Sequence, residues 1–414
     1  PLVLVMVGLP ARGKTYIARK LARYLSWLGV PARVFNVGNY RRRHLGSTQP
    51  AAFFDPDNPD GVSARRRMAL AALDDLIAWL GAGQGLVAIY DATNVTAERR
   101  ALVRGHLAAH GHSAVFIECV CNDPALVEAN VRESKVSMPD YANMEPDRAV
   151  QDFRARIGHY ERAYVPVGLE EGAFVRLIDV GEQVILHRIQ GSLASRIVFF
   201  LMNLHIVPRP ILLMRHGESE LNAQGRIGGD AGLTPRGRAF SRALVAHLEQ
   251  RFPGPPPTLW TSTLRRTIET ISGLSWPSRA LRNLDEIDAG VCDGWTYEEI
   301  AEKMPEEFAA RRDDKLHYRY PRGESYEDVI ERLDPVLVEL ERQRDPVVIV
   351  AHQAVLRCLY GYFTDQAPEA CPHLDVPLHT VIELIPRAYG VAERRTVLLP
   401  PAQTSEPPPG PPTP

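Results

Sequence analysis

The 414-residue chain has little excess charge of either sign. Its 48 Lys and Arg against 50 Asp and Glu leave a net charge of −2, so no global basic field draws it to nucleic acid or to an anionic membrane. Any phosphate binding must be local. Long hydrophobic runs are also missing: stretches such as Ile197 to Met202 stop well short of the roughly 18 residues a membrane span needs. Pro1 to Val7 is apolar but short and has no charged start, so it reads as a strand and not as an export signal. Cysteine is scarce. The five (Cys119, Cys121, Cys292, Cys358, Cys371) are odd in number, sit in apolar surroundings and show no C-x-x-C spacing, which points to a reducing cytoplasm and away from a disulfide framework. Cys119 and Cys121, two apart on an expected strand, should share one face, and no further metal ligands follow them. The remaining composition, 45% hydrophobic and 24% charged, is that of a soluble globular protein, and the length suits two domains.

Short apolar runs alternate with helical patterns along the first half. Leu2 to Val7, Arg33 to Val37, Leu86 to Tyr90 and Val115 to Val120 read as buried strands, with segments such as Thr15 to Leu28 as helices between them. That alternation predicts an α/β domain with a mainly parallel sheet. A long amphipathic stretch, about Ile185 to Leu204, runs into Val207-Pro208-Arg209-Pro210, where two prolines in three residues stop a helix. The domain boundary is placed there, giving 1–208 and 209–399. The second half restarts with strands at Ile211 to Met214 and Val347 to Val350, a second α/β unit. Residues 400–414 hold eight prolines and should form a disordered or extended tail.

Gly8-Leu9-Pro10-Ala11-Arg12-Gly13-Lys14-Thr15 fits G-x-x-x-x-G-K-(S/T) between an apolar strand and an amphipathic helix, the context that a phosphate-binding P-loop requires. Glycines let backbone N–H groups close around a phosphate while the helix N-terminus adds positive potential. Lys14 is expected to bridge the β- and γ-phosphates, and Thr15 to hold Mg²⁺ through its hydroxyl. Asp91, delivered by the strand ending at Tyr90, is the expected second magnesium anchor. ATP with Mg²⁺ is thus the expected cofactor pair.

With these residues in view, the strings Gly8 to Tyr16, Phe35-Asn36-Val37-Gly38 with Tyr40-Arg41-Arg42, and Asp91-Ala92-Thr93-Asn94 resemble the kinase domain of the bifunctional 6-phosphofructo-2-kinase/fructose-2,6-bisphosphatase family. Further matches run through Asp123-Pro124, Ser137 to Tyr141 and Gln190 to Leu204, so that the similarity spans nearly everything but the tail. The resemblance implies a fructose 6-phosphate pocket of Arg41, Arg65, Arg99 and Arg156 with Tyr160 and Thr93. Forked guanidinium groups suit that task. For Arg65 a one-residue slip to Arg66 or Arg67 is open, as is a plain solvated charge run. Asn130 and Lys135 fall in the family's nucleotide-contacting segment, Tyr389 matches a position near nucleotide or is a core tyrosine, and Cys121 matches a cysteine near the kinase site or is a buried structural thiol.

The second half carries Met214-Arg215-His216-Gly217-Glu218 directly after a strand, similar to histidine phosphatases and phosphoglycerate mutases. The implied fold is an α/β histidine-phosphatase (phosphoglycerate mutase-like) domain. Agreeing features are Asn222, Gly225-Arg226-Ile227-Gly228-Gly229, Ser262-x-Leu264-x-Arg266 and a second strand-ending histidine, His352. An imidazole attacks phosphorus only through an unprotonated nitrogen. His216 is the expected nucleophile, with Arg215, Arg266 and His352 gathering the phosphoryl oxygens. Glu286 matches the family's acid that protonates the leaving oxygen, for which a raised pKa is expected, while Asp285 and Asp288 stay open on spacing alone. The resemblance further implies sugar-bisphosphate contacts at Asn222, Arg226, Gly228, Tyr297, Arg311, Lys315, Tyr326, Gln353 and Arg357. Two departures stand out: Asn39 replaces the usual acidic residue, and Leu316 and His317 replace aromatics in the loop after Arg311.

The leading expectation is one cytoplasmic, homodimeric enzyme that makes fructose 2,6-bisphosphate from ATP and fructose 6-phosphate and hydrolyses it back through a phosphohistidine, regulating glycolysis. Neither nucleic acid nor membrane is expected as a partner. Two alternatives are a pseudoenzyme or metabolite-sensing scaffold with one activity lost, and a kinase/phosphatase acting on nucleic-acid ends, which the balanced charge disfavours.

Overall fold

The computed structural model describes residues 1–132, 139–141, 144–205, 208–387 and 390–400. By its contacts the chain falls into two compact units, Pro1–Val207 with Leu337–Arg342, and Pro208–Val336 with Gln343–Pro414. The short run Leu337–Arg342, which the linear reading places in the second domain, clusters with the first.

In the first unit the strands are β1 (Leu2–Val7), β2 (Ala32–Asn36), β3 (Val87–Asp91), β4 (Ala114–Val120), β5 (Ala173–Ile178) and β6 (Gln183–His187). They lie in the order β2-β3-β1-β4-β5-β6, all parallel except β6, which runs against β5. Helices α1 (Lys14–Trp27), α2 (Val37–Leu45), α3 (Pro59–Gly81), α4 (Ala97–Ala109), α5 (Pro124–Asn130), α6 (Pro146–Ala163) and α7 (Ser192–Met202) connect them. Val3, Val5, Val7, Ala88, Tyr90 and Phe116 form a buried cluster with Leu73 and Leu76 of α3 and Val103 and Leu107 of α4. Strands covered in this way read as unbroken apolar runs. Local chemistry starts the helices: Asn58 before Pro59, Thr96 before α4 and Asp123 before Pro124 each accept a backbone N–H from the first turn.

Two expectations fail here. Ile185 to Leu204 is not one amphipathic element, since Ile185 belongs to edge strand β6 and Gly191, at φ 91°, separates it from α7. Residues with hydrophobic periodicity on both sides of a glycine turn mimic a single helix. Cys119 and Cys121 do not share a face either, because β4 ends at Val120: Cys119 is buried, while Cys121 lies beyond the strand and is half-exposed. Smaller shifts occur at strand ends, with Val37 already starting α2 and Leu86 lying outside β3.

The second unit repeats the scheme with β7 (Ile211–Arg215), β8 (Thr258–Thr261), β9 (Ser278–Ala280), β10 (Val347–Ala351), β11 (Thr380–Arg387) and β12 (Gly390–Val397), ordered β12-β11-β7-β10-β8-β9. Strands β7, β10, β8 and β9 are parallel, and β11 and β12 are antiparallel additions. Its helices are α8 (Glu220–Ala223), α9 (Pro235–Arg251), α10 (Arg265–Ile271), α11 (Tyr297–Lys303), α12 (Pro305–Asp313), α13 (Tyr326–Arg342, as far as Val336) and α14 (Gln353–Phe363). Leu212, Met214, Phe240, Leu244, Leu259, Val348 and Val350 form the core on one face. No helix among the described residues is long and apolar enough to cross a membrane.

Candidate functional sites

Because β1 lies between β3 and β4, the turn that follows β1 meets the carboxyl ends of both neighbours, where α/β sheets bind ligands. The turn is tight. Gly8 sits at φ 133°, and a Cβ there would come 2.4 Å from the Cys119 carbonyl oxygen; its N–H donates to the Thr93 carbonyl at 2.9 Å. Ala11 and Gly13 also have positive φ, and α1 begins at Lys14 with no side-chain cap on its first N–H groups. A helix start whose donors no side chain satisfies is suited to an anion.

Lys14 is buried and folds back over the turn, Nζ donating to the Leu9 carbonyl at 2.5 Å. Asp91 closes β3 almost fully buried and accepts from the Asn36 amide at 2.5 Å. Burial pushes the nearby Cys119 thiol up to about 12, with Lys14 lowering and Asp91 raising it by their charges. Around the turn, Arg12 donates to the Pro10 carbonyl and pairs with Glu161 at 3.6 Å, Asn130 donates to the Ala11 carbonyl at 3.2 Å, and the Tyr16 ring lies under the Lys20 ammonium. Burial raises the Cys121 thiol as well. Lys135 and Tyr389 lie outside the described residues.

The four arginines come together. Arg41 is buried and bonds Asp140, and its guanidinium pKa is lowered by burial first and by the charge of Arg156 second. Arg65 is held by the Phe53 and Asp55 carbonyls; burial lowers it, and Tyr160, Arg156 and Arg99 all lie within its field. The neighbours Arg66 and Arg67 are exposed. Arg99 donates to the Tyr90 hydroxyl at 3.3 Å, and Arg156 stacks on Phe54 with 3.6 Å from its guanidinium carbon to the ring centroid. Arg41 Nη1 and Arg156 Nε are buried without any hydrogen-bond partner. Cations this crowded, with spare donors, call for an anionic guest. Phe54 and Asp140 complete the cluster; the sequence reading assigns neither a role, and only the packing reveals them.

In the second unit, register builds the site. Ala351 pairs with Arg215 and Val350 with Thr261, so His216, His352 and Ser262 emerge together from the carboxyl ends of β7, β10 and β8. The two imidazole centroids lie 5.1 Å apart, and both rings are buried. His216 Nδ1 donates to the Gly217 carbonyl at 2.7 Å, which leaves Nε2 unprotonated; Arg266 Nε donates to that nitrogen at 3.1 Å. Burial, then Arg266 and Arg215, hold His216 well below its usual pKa. It is neutral at pH 7.

Arg215 is lowered to about 10, mainly by burial, and its Nε has no partner. Glu286 accepts N–H bonds from Ile287, Gln353 and Ala354, the last two at the start of α14, and its charge bears on Arg215 and Arg266. Both carboxyl oxygens act as acceptors here. Asp285 is engaged by Thr263, and Asp288 accepts the Gly290 N–H.

A second ring of cations adjoins. Arg357 donates to the Tyr326 hydroxyl at 3.2 Å and to the Leu374 carbonyl. Lys315 donates to the Pro372 carbonyl at 3.0 Å, and burial, followed by Arg311 and Arg357, brings it down to about 8. Arg311 reaches the Tyr297 hydroxyl at 3.0 Å. Two of the remaining residues are committed elsewhere: Asn222 closes a capping box with Ser219, and Arg226 is paired with Glu299 and the Gly294 carbonyl. Gly228, at φ 72°, leaves no room for a Cβ beside Asp293. In the departing loop Leu316 is buried and His317 pairs with Asp314. Thr270 is a supporting residue absent from the sequence reading. It accepts the Gly217 N–H at 2.9 Å and so anchors the His216–Gly217 peptide, next to the one whose carbonyl orients His216; its signal is its place one helical turn beyond Arg266.

Residues 1–208 match the family described as 6-phosphofructo-2-kinase, and residues 211–397 match the histidine phosphatase superfamily, branch 1. The chain is 49% identical over 393 residues to a 6-phosphofructo-2-kinase/fructose-2,6-bisphosphatase of Gallus gallus, covering 94% of this chain and 83% of that one. It is 49% identical over 394 residues to form 4 from Rattus norvegicus and 48% identical to form 4 from Homo sapiens, with the same coverage.

Proposed function

Starting from the chain's membership of the bifunctional 6-phosphofructo-2-kinase/fructose-2,6-bisphosphatase family, we propose how the residues above divide the work of the two opposed reactions. The enzyme makes fructose 2,6-bisphosphate from ATP and fructose 6-phosphate in its first half and hydrolyses it in its second. In the first reaction Gly8 to Thr15 wrap the nucleotide's phosphates, Lys14 leaves the Leu9 carbonyl for the transferring phosphoryl group, and Arg41, Arg65, Arg99 and Arg156 hold the sugar phosphate with Tyr160 and Thr93. Asn130 borders the nucleotide. Lys135 and Tyr389 belong to the same proposal from the resemblance alone.

A kinase that uses ATP implies a divalent metal, and Mg²⁺ fits the residues present. Thr15 and Asp91 offer hard oxygen donors, and the buried Asp91 carboxylate has a neutral amide, Asn36, as its hydrogen-bond partner. When bound, Mg²⁺ would neutralise phosphate charge; the protein's part is to hold donor and acceptor in line.

In hydrolysis His216 attacks phosphorus through Nε2, and Arg266 passes its Nε–H from the imidazole to a phosphoryl oxygen. Arg215 and His352 supply further donors. Glu286, having taken a proton from solvent, gives it to the sugar oxygen as the bond from that oxygen to phosphorus breaks, and Arg311, Lys315, Tyr326, Gln353 and Arg357 hold the rest of the bisphosphate, with Asn222, Arg226, Gly228 and Tyr297 around it. The observation that carries this reading is the fixed tautomer of His216, a buried imidazole whose Nε2 lone pair accepts from Arg266. The five free thiols accord with a cytoplasmic enzyme, and a homodimer completes the proposal. Steady-state assays in both directions test it: both should turn over, and a purified chain silent in one direction takes that assignment down.

A further inference from the structure

Ser262 is fully buried beside the histidine site and belongs to none of the groups assigned above. Its hydroxyl oxygen lies 2.7 Å from His352 Nε2 and 2.9 Å from Thr267 Oγ1, and it accepts the Leu264 N–H at 3.1 Å. The distances along this chain favour one direction of donation. Thr267 has one hydroxyl proton, and it donates to the Leu264 carbonyl at 2.8 Å, with the Ser262 carbonyl as a longer alternative at 3.2 Å. Thr267 therefore has no proton to give to Ser262. Leu264 N–H already fills one Ser262 lone pair, so the Ser262 proton is free to go to His352 Nε2, the nearer of its two acceptors.

The other imidazole nitrogen shows what this accomplishes. His352 Nδ1 is buried without a hydrogen-bond partner, on a ring 5.1 Å from His216 and within the field of Arg266 and Arg215. Arg215 Nε is likewise buried and unpartnered. Unspent donors around the nucleophile are what an incoming phosphoryl group needs, but a neutral imidazole donates from one nitrogen only. With its proton on Nε2, His352 would present a lone pair to phosphoryl oxygens and repel them.

We propose that Ser262 is a positioning residue for hydrolysis: by donating to Nε2 it fixes His352 in the Nδ1–H tautomer, so that the imidazole meets the phosphoryl oxygens as a donor. The inference rests on the roles given above to His216 and His352. Its effect falls on kcat more than on KM, because charge on those oxygens grows during the displacement.

The test uses the full chain labelled with ¹⁵N-histidine, with and without inorganic phosphate, and His352 assigned through His352→Gln. The wild type should show a protonated Nδ1 and a bare Nε2, and a spectrum with the proton on Nε2 overturns the proposal at once. Ser262→Ala should lose that preference and lower kcat for fructose 2,6-bisphosphate hydrolysis about 10- to 100-fold, the usual reach of a residue that orients a functional histidine. Ser262→Thr, which keeps the hydroxyl, should restore both. Thr267→Val removes the competing acceptor together with the hydroxyl's bond to the Leu264 carbonyl but leaves the Ser262 hydroxyl in place, so tautomer and rate should stay near wild type; if it matches Ser262→Ala in both, the effect is general packing and the proposal fails. Synthesis by the same preparations reports that Ser262→Ala is folded. Wild-type hydrolysis by His352→Gln is a separate failure, since it removes His352 from the mechanism whatever its tautomer.

Discussion

The turn after β1 takes its shape from backbone, with Gly8, Ala11 and Gly13 at positive φ, whereas the site at the ends of β7 and β10 is shaped by side chains that hold one another. The contrast extends to the cations. Lys14 spends a hydrogen bond on the Leu9 carbonyl and Arg65 is tied to the Phe53 and Asp55 carbonyls. In the second unit, His216 already has the tautomer that attack requires, and Arg215 Nε waits without a partner. On the proposed roles, the first site depends on a lysine that changes partner and the second on a nucleophile fixed in advance.

Separating the two halves by mutation is the strongest way to break this comparison. His216→Ala removes the nucleophile, so hydrolysis should fall about 10,000-fold or more while synthesis persists, as read by parallel assays; hydrolysis surviving in this variant would mean another group attacks phosphorus. Lys14→Met should lower synthesis by roughly 1,000-fold and leave hydrolysis near wild type. A more selective blow is Glu286→Gln, which keeps the acceptor oxygen but cannot protonate the leaving sugar oxygen. Phosphoenzyme formation in a rapid-quench experiment should slow by about 100-fold, and an unchanged burst removes Glu286 from that step.

The smallest effect is a matter of pH. Lys315 sits near 8, below its usual value because of burial and then Arg311 and Arg357. Its ammonium charge is present below that pH and is lost as pH rises through it, so KM for fructose 2,6-bisphosphate should climb above pH 8. Lys315→Arg, which keeps its charge throughout, should flatten the climb. His216, held well below 6.5, should add no loss of its own at neutral pH, since the neutral imidazole is the reactive form and only acid withdraws it.

How much could be read in the chain beforehand follows from where the information lies. The P-loop string and the Arg-His-Gly-Glu string are local, and each sits at the end of an apolar run, so strand, turn and site were legible together. The pairing of Ala351 with Arg215 was not, because register is a long-range property, and it is this register that brings His216 beside His352. Arg156 on Phe54 and Arg41 with Asp140 are contacts between distant segments with no spacing rule. The strand-helix break within Ile185 to Leu204 was hidden because Gly191 divides two apolar patterns that blend when read as one. Thr270 escaped for another reason, and Ser262, though part of a legible string, showed no role: a buried hydroxyl has no signature until its partner is known.

The central claim is that one chain carries a nucleotide-phosphate cradle and a histidine that takes the sugar's phosphate. Incubating the wild type with ATP labelled in its γ-phosphate and fructose 6-phosphate, then trapping protein in base, follows a single phosphoryl group through both sites. Label should pass first into fructose 2,6-bisphosphate and then onto protein as an acid-labile phosphohistidine that is absent from His216→Ala. Label that reaches the sugar but never the protein, or that persists on His216→Ala, would contradict the account.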